Sequence, residues 1–152
     1  MKIIATIEAR LNSSRLPKKH LYQINGKFLI EILIERLKKV KNINSIVLAT
    51  TTNSVDRKLV DIAKKNKIDF YQGSEENVLE RVTFAAKKHK ADAVLQVSGD
   101  CPLLDYKLAQ YQLEMFKLNK VDVLTEYWKN FPGGVCHPII KYKALLESLK
   151  NA

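Results

Sequence analysis

The sequence predicts an α/β fold in three layers, a mostly parallel sheet with helices on both faces. Three observations predict it. Short apolar runs recur at residues 3–7, 45–50 and 93–97, and unbroken apolar character suits strands buried on both faces. Segments of helical periodicity lie between these runs, and strands alternating with helices build a parallel sheet through right-handed crossovers. At 152 residues the chain is long enough to bury about 70% of its unfolded surface around one core. A single domain over 1–152 is therefore expected, with no internal repeat or low-complexity linker to divide it.

The elements follow in order. Ile3-Ile4-Ala5-Thr6-Ile7 is the first strand, broken at Glu8 and followed by the polar, basic stretch from Ala9 to Lys19. After Asn25-Gly26, the residues Leu29, Ile30, Leu33, Ile34, Leu37 and Val40 recur near helical spacing, which predicts a helix over 28–39. Ser45-Ile46-Val47-Leu48-Ala49-Thr50 is β-branched and short, a second buried strand. Asn53-Ser54 offers an N-cap for a helix carrying Val55, Leu59, Val60 and Ile62. Ile68 to Tyr71 makes a brief strand, and Gly73-Ser74-Glu75-Glu76 opens a helix to about residue 89, with Ser74 as cap and early acids at the positive end of the helix dipole. The strand over 93–97 ends at Ser98-Gly99-Asp100-Cys101-Pro102. A helix over 106–118, a strand over 121–124, a loop through Pro132-Gly133-Gly134, a strand near 135–140 and a final helix from Tyr142 complete the pattern.

Composition narrows the function. The formal charge of +10 fits a partner rich in phosphate. Residues 1–41 hold ten Lys and Arg against three acids, so most of the excess belongs to the segment containing the basic stretch. Lys38, Lys39 and Lys41 have a simpler reading, as cations at the end of a helix. No aromatic residue interleaves with the basic ones of the loop, so the stacking platform of a single-strand nucleic-acid binder is not expected. Cys101 and Cys136 form no CxxC pair and suggest neither a disulfide framework nor a zinc ribbon. No leader of signal-peptide form and no membrane-spanning run is present, and a cytoplasmic protein without a membrane partner is expected.

Two loops could carry chemistry. Arg10, Ser13, Ser14, Arg15, Lys18 and Lys19 leave the carboxyl end of a buried strand, where ligands bind in open α/β sheets. Arg grips phosphate oxygens bidentately and Lys adds a mobile point charge, although a solvated basic turn has the same composition. The second loop places Asp100 just past another buried strand. Mg²⁺ is held by one or two carboxylates together with substrate phosphates, which suits Asp100, while Gly99 would let backbone approach a ligand. Asp100 and Asp105 could instead cap the following turn and helix. No G-x-x-x-x-G-K-[ST] or G-x-G-x-x-G segment occurs, so any nucleotide must be held by side chains and a longer loop.

Taken together, these loops resemble the cytidylyltransferases that make CMP-activated sugars, in the branch of spore coat polysaccharide biosynthesis protein F and the CMP-Kdo synthetases. The family's first loop, A-R-x-G-S-[ST]-R-L-P-x-K, is matched by Ala9, Arg10, Ser13 to Pro17 and Lys19. Its segment G-S-E-E-D-V-L-x-R is matched by Gly73 to Glu76, Val78, Leu79 and Arg81, and its loop G-D-C-P-L-[IL]-D by Gly99 to Asp105. The resemblance runs over essentially the whole chain.

It implies a three-layer, Rossmann-like fold of the nucleotide-diphospho-sugar transferase type and a nucleotidyl transfer. A sugar or sugar acid attacks the α-phosphate of a nucleoside triphosphate, CTP by family analogy, and pyrophosphate leaves. Carried over by position, Arg10, Arg15 and Lys19 hold the triphosphate and stabilise charge at phosphorus. Ala9, Ser13, Ser14, Ser74, Arg81 and Ser98 lie along the nucleotide, and Asp100 binds Mg²⁺. Ser98 stands where some synthetases of the wider superfamily carry a larger amide, which leaves the base unread. Asn12 and Lys18 replace small residues of the family loop, which implies a changed backbone path there. Gly134-Val135-Cys136-His137-Pro138 aligns with a segment that supplies a second acidic metal ligand, and neither carboxylate is present. The family also continues beyond this point to complete a sugar pocket and often a homodimer contact. These departures admit an alternative, a nucleotide-binding or partner module without catalysis.

Overall fold

The computed structural model describes residues 1–125 and 131–152. Strand β1 (Ile3–Glu8) occupies the centre of the sheet. Its residues Ile3, Ile4, Ala5 and Ile7 have no exposed surface, as a strand covered on both faces requires. It pairs in parallel with β4 (Ser45–Thr51) on one side and with β6 (Ala93–Ser98) on the other, so that Glu8 stands opposite both Ala49 and Ser98. A further parallel strand, β5 (Asp69–Gly73), lies outside β4. Two short strands, β7 (Val123–Leu124) and β8 (Ile139–Lys141), extend the sheet antiparallel beyond β6, in the order β5-β4-β1-β6-β8-β7. The fold is the expected mostly parallel α/β sheet.

Two apolar layers cover it. Helices α1 (Leu29–Leu37), α2 (Arg57–Lys65) and α4 (Tyr106–Leu118) pack Leu33, Ile62 and Leu113 with Ile3, Ala5 and Ile7. On the opposite face α3 (Val78–Lys88) and α5 (Tyr142–Lys150) pack Val82, Ala86 and Leu145 with Ile4, Val47 and Val94. Each fully buried Leu or Ile contributes about 2 kcal/mol of hydrophobic stabilisation. Among the described residues no helix is long and apolar enough to cross a membrane.

The chain moves outward from β1 to β4 and β5, then returns to place β6 on the other side of β1. The strand order therefore reverses beside the carboxyl ends of β1 and β6. Connections leave in opposite directions there, which opens a crevice suited to a ligand.

Several local expectations are corrected. Ser54 begins a short 3-10 turn, and Asn53 makes no side-chain cap; the helix starts at Arg57, after Asp56 has turned inward with no exposed surface. Ser74 does not cap α3. Asn77 does, accepting from the Glu80 N–H at 2.9 Å, while Ser74 Oγ accepts from the Asn77 N–H at 3.1 Å. The strands expected over 121–124 and 135–140 shorten to β7 and β8. The 135–138 stretch directs carbonyls elsewhere, Val135 to the Asp105 N–H and Pro138 to the Gln96 N–H, and Pro138 has no N–H to pair. Asn25-Gly26 links an unanticipated hairpin, β2 (Gln23–Ile24) with β3 (Lys27–Phe28). Both turn residues have positive φ, 49° and 76°, the two-residue turn for which Asn-Gly is preferred. Residues 126–130, within the loop expected before Pro132, lie outside the described residues.

Candidate active site

A cavity of about 480 Å³ opens at the carboxyl ends of β1 and β6. Of the residues singled out from the sequence, Ala9, Arg10, Ser13, Arg15, Lys19, Arg81, Ser98 and Asp100 line it. Ser14 and Ser74 do not. Ser14 is exposed on the loop, and Ser74 serves the turn before α3. Glu8, His20, Glu75, Glu76, Val78 and Gln96 join the lining without having been anticipated.

The basic loop is held from beneath. Leu11 is buried, and its N–H donates to Asp56 Oδ1 at 2.7 Å, while the Thr51 hydroxyl donates to Oδ2 of the same carboxylate. The Lys18 N–H donates to the Leu11 carbonyl at 3.0 Å and closes the loop. Asn12, expected to alter the backbone path, is not among the positive-φ residues; Lys18 is, at φ 55°. The left-handed turn thus falls just before Lys19, and its placement aims that side chain across the cavity.

Lys19 Nζ forms an ion pair with Asp100 Oδ2, and the Ser98 hydroxyl donates to Asp100 Oδ1 at 2.5 Å. Desolvation raises the Asp100 pKa, but the hydrogen bonds from Lys19 and Ser98 outweigh it and hold the carboxyl at about 2. Asp100 is thus ionised at neutral pH, with 40% of its side chain exposed. Gly99 has a reason different from the expected approach to a ligand. A Cβ there would lie 2.8 Å from the Glu8 carbonyl and 3.0 Å from Ala9 Cβ, so only Gly lets β1 and the Asp100 loop close together. His20 Nδ1 donates to the Gly99 carbonyl at 3.0 Å from a buried position, and burial lowers its pKa and keeps the ring neutral. Asp105 caps α4, accepting from the Lys107 and Leu108 N–H groups at 2.9 and 3.1 Å.

The opposite wall carries Arg10 and Arg81. Arg10 donates to the Glu75 carbonyl at 3.2 Å and faces the Glu75 carboxylate at 3.9 Å. Arg81 is no solvated helix cation: it is 2% exposed and donates to the Ser74 carbonyl, pinning the turn to α3. Between the walls lies Glu8. Its carboxyl accepts from the Thr6 hydroxyl at 2.7 Å. Burial pushes its pKa up to about 8, against hydrogen bonds from Thr6 and Gln96 and the charge of Arg81. The sequence signal was present, since an acid ending an otherwise apolar buried strand must face something polar.

Cys136 and His137 are both buried and do not line this cavity. Among the described residues, no group of three His, Cys, Asp or Glu side chains is arranged to hold a metal. The Cys101 thiol is pushed up to about 11 by burial and by Asp100, so it remains protonated at neutral pH.

The family model for cytidylyltransferases matches residues 4–145. The chain belongs to the cytidylyltransferase family. It is 28% identical over 149 residues to the spore coat polysaccharide biosynthesis protein SpsF of Bacillus subtilis, covering 95% of this chain and 61% of the Bacillus protein. A cytidylyltransferase structure from Leptospira borgpetersenii superposes with a TM-score of 0.93 at 32% identity, covering 99% of this chain and 64% of the other. The CMP:2-keto-3-deoxy-manno-octonic acid synthetase, whose structure was solved with CTP, shares the fold with a TM-score of 0.77 at 18% identity, covering 99% of this chain and 78% of that one. The chain thus spans under two thirds of the length of the first two relatives.

Proposed function

We propose that this chain carries the nucleotide-binding and transfer site of a Mg²⁺-dependent cytidylyltransferase that activates a sugar or sugar acid with CTP. The observation that supports this reading best is the meeting of the 9–19 loop and Asp100 in one cavity at the switch point of the sheet. In the reaction an oxygen of the sugar attacks the α-phosphorus. The bond from that phosphorus to its bridging oxygen breaks, and pyrophosphate departs.

Arg15 projects into the cavity and makes no ion pair among the described residues, which leaves its guanidinium available to phosphate oxygens. Lys19 and Arg10 pair with Asp100 and Glu75 and would exchange these partners for the triphosphate. Such preorganised cations stabilise charge where it develops during transfer. Ser13 offers a hydroxyl to the same cavity. Asp100 is an ionised, hard oxygen donor open to the cavity, which fits Mg²⁺ bound through one carboxylate and substrate phosphates. The ion supplies charge neutralisation of the phosphates when bound. The buried Cys136 and His137 are softer donors outside the cavity and would take no part.

Incubation with CTP, Mg²⁺ and a panel of sugar acids and sugars tests the reading through pyrophosphate release, with CTP binding followed as a rise in melting temperature. Release with one acceptor supports it. Absence of both a nucleotide-dependent shift and pyrophosphate would overturn it.

A further inference from the structure

Both oxygens of the Asp100 carboxylate are engaged by the protein itself. Lys19 Nζ pairs with Oδ2, and the Ser98 hydroxyl donates to Oδ1 at 2.5 Å. The two loops are stitched together at this point. Buried His20 donates from Nδ1 to the Gly99 carbonyl at 3.0 Å, so consecutive residues of the basic loop meet consecutive residues of the Asp100 loop. The left-handed turn at Lys18 leads the chain into this contact.

Lys19 and Asp100 each face a competing partner. A triphosphate offers phosphate oxygens to the Lys19 ammonium, and a divalent cation requires the Oδ2 that Lys19 occupies. Among the described residues, no group of three His, Cys, Asp or Glu side chains offers another cage, so phosphate oxygens would have to complete the cation's shell. Lys19 has room to leave. It borders a second cavity of about 350 Å³, lined also by Leu16, Tyr22 and Leu29, and its side chain is 22% exposed. Arg15 lines both cavities and makes no ion pair among the described residues, so it can hold phosphate while Lys19 changes partner.

We propose that the Lys19–Asp100 ion pair is a latch, which keeps Asp100 closed to a divalent cation until a nucleotide phosphate draws Lys19 away. The inference rests on the nucleotide- and metal-binding reading above and adds the dependence of one on the other. Such coupling is reciprocal, so the contact that withholds Asp100 from metal also withholds Lys19 from phosphate. Mn²⁺ prefers the same oxygen donors as Mg²⁺, and its binding without nucleotide is read by electron paramagnetic resonance. Lys19→Met opens Asp100 and tightens Mn²⁺ binding by at least about fivefold, the lower end of such couplings. Arg15→Met removes a cation from the same cavity but leaves the pair, and tightens binding by less than about twofold. An unchanged affinity in Lys19→Met, or an equal gain in both variants, overturns the latch. Calorimetric titration with CTP in the presence of a chelator reads the other half. Asp100→Asn frees Lys19 and binds CTP at least about threefold more tightly than the unmodified protein, and the gain is lost in the Lys19→Met background. An equal gain in that background overturns the latch, because loss of a negative charge alone would then explain it. If Lys19→Met does not fold, Asp100→Asn decides: CTP binding no tighter than that of the unmodified protein overturns the latch. Failure of every protein to bind Mn²⁺ or CTP overturns the cytidylyltransferase reading as well, whereas CTP binding untouched by these variants removes the latch and leaves that reading standing.

Discussion

Replacing Glu8 with Gln removes the most perturbed carboxyl of the site and should stabilise the protein in a pH-dependent way. The unfolded chain releases this proton near pH 4.5, whereas burial in the folded protein holds it to about pH 8. Between these values the folded state binds more protons than the unfolded state, so Glu8 makes stability fall as pH rises. Displacement of the carboxyl from 4.5 to about 8 corresponds to a cost of about 3 kcal/mol at neutral pH and roughly 5 kcal/mol once both states are ionised. Gln does not titrate, and its amide oxygen can still accept from Thr6. Urea unfolding of both proteins at about pH 5.5 and about pH 8.5 should show an advantage for the variant that grows by about 3 kcal/mol across that interval. Every other titrating group is common to both proteins and cancels in the difference. An advantage that stays constant with pH would refute a carboxyl held protonated by desolvation.

Four other perturbations probe the site and its supports. Asp56→Ala strips the buried Leu11 N–H of its acceptor and should cost about 2 kcal/mol in urea unfolding, with faster amide exchange across 9–19; wild-type stability would show that the carboxylate does not anchor the loop. Lys18→Gly relieves a left-handed residue and should raise stability by up to about 1 kcal/mol, and a loss would mean that the loop is not fixed at that φ. Lys19→Met should weaken CTP binding by at least about tenfold while leaving the fold intact, and Asp100→Asn should weaken Mn²⁺ binding, measured by electron paramagnetic resonance in the presence of CTP, by a similar factor. Unchanged affinities would refute the proposed roles of these residues in phosphate and metal binding.

Much of the site was legible because its elements announce themselves locally. Unbroken apolar runs identify β1, β4 and β6, since a strand covered on both faces has no polar side to show. Loops leaving the carboxyl ends of β1 and β6 line the cavity, which is why Arg10, Arg15, Lys19 and Asp100 could be named as candidates from order and residue type. Roles set by contacts from distant segments were not legible. Ser74 reads as ligand-facing in the linear motif, yet it does not line the cavity, and Arg81, which does, also spends a donor on the Ser74 carbonyl. Gly99 reads as a place for ligand approach, yet its missing Cβ makes room for Glu8 and Ala9. Asn77 and Ser74 are equally good caps by composition, and only the backbone path shows which one meets the helix end.

By itself the sequence determined the α/β class, the helix and strand types, and the residue set that marks the family, because periodicity and loop chemistry are properties of short stretches. Tertiary structure alone decided that β1 lies between β4 and β6, which turns two separate loops into one cavity. It also decided the character of Glu8. In the chain this residue is an interruption of an apolar run; among Thr6, Gln96 and Arg81 it becomes a carboxyl that keeps its proton to about pH 8. Desolvation depends on everything packed around a group, and that packing is assembled from segments nearly ninety residues apart.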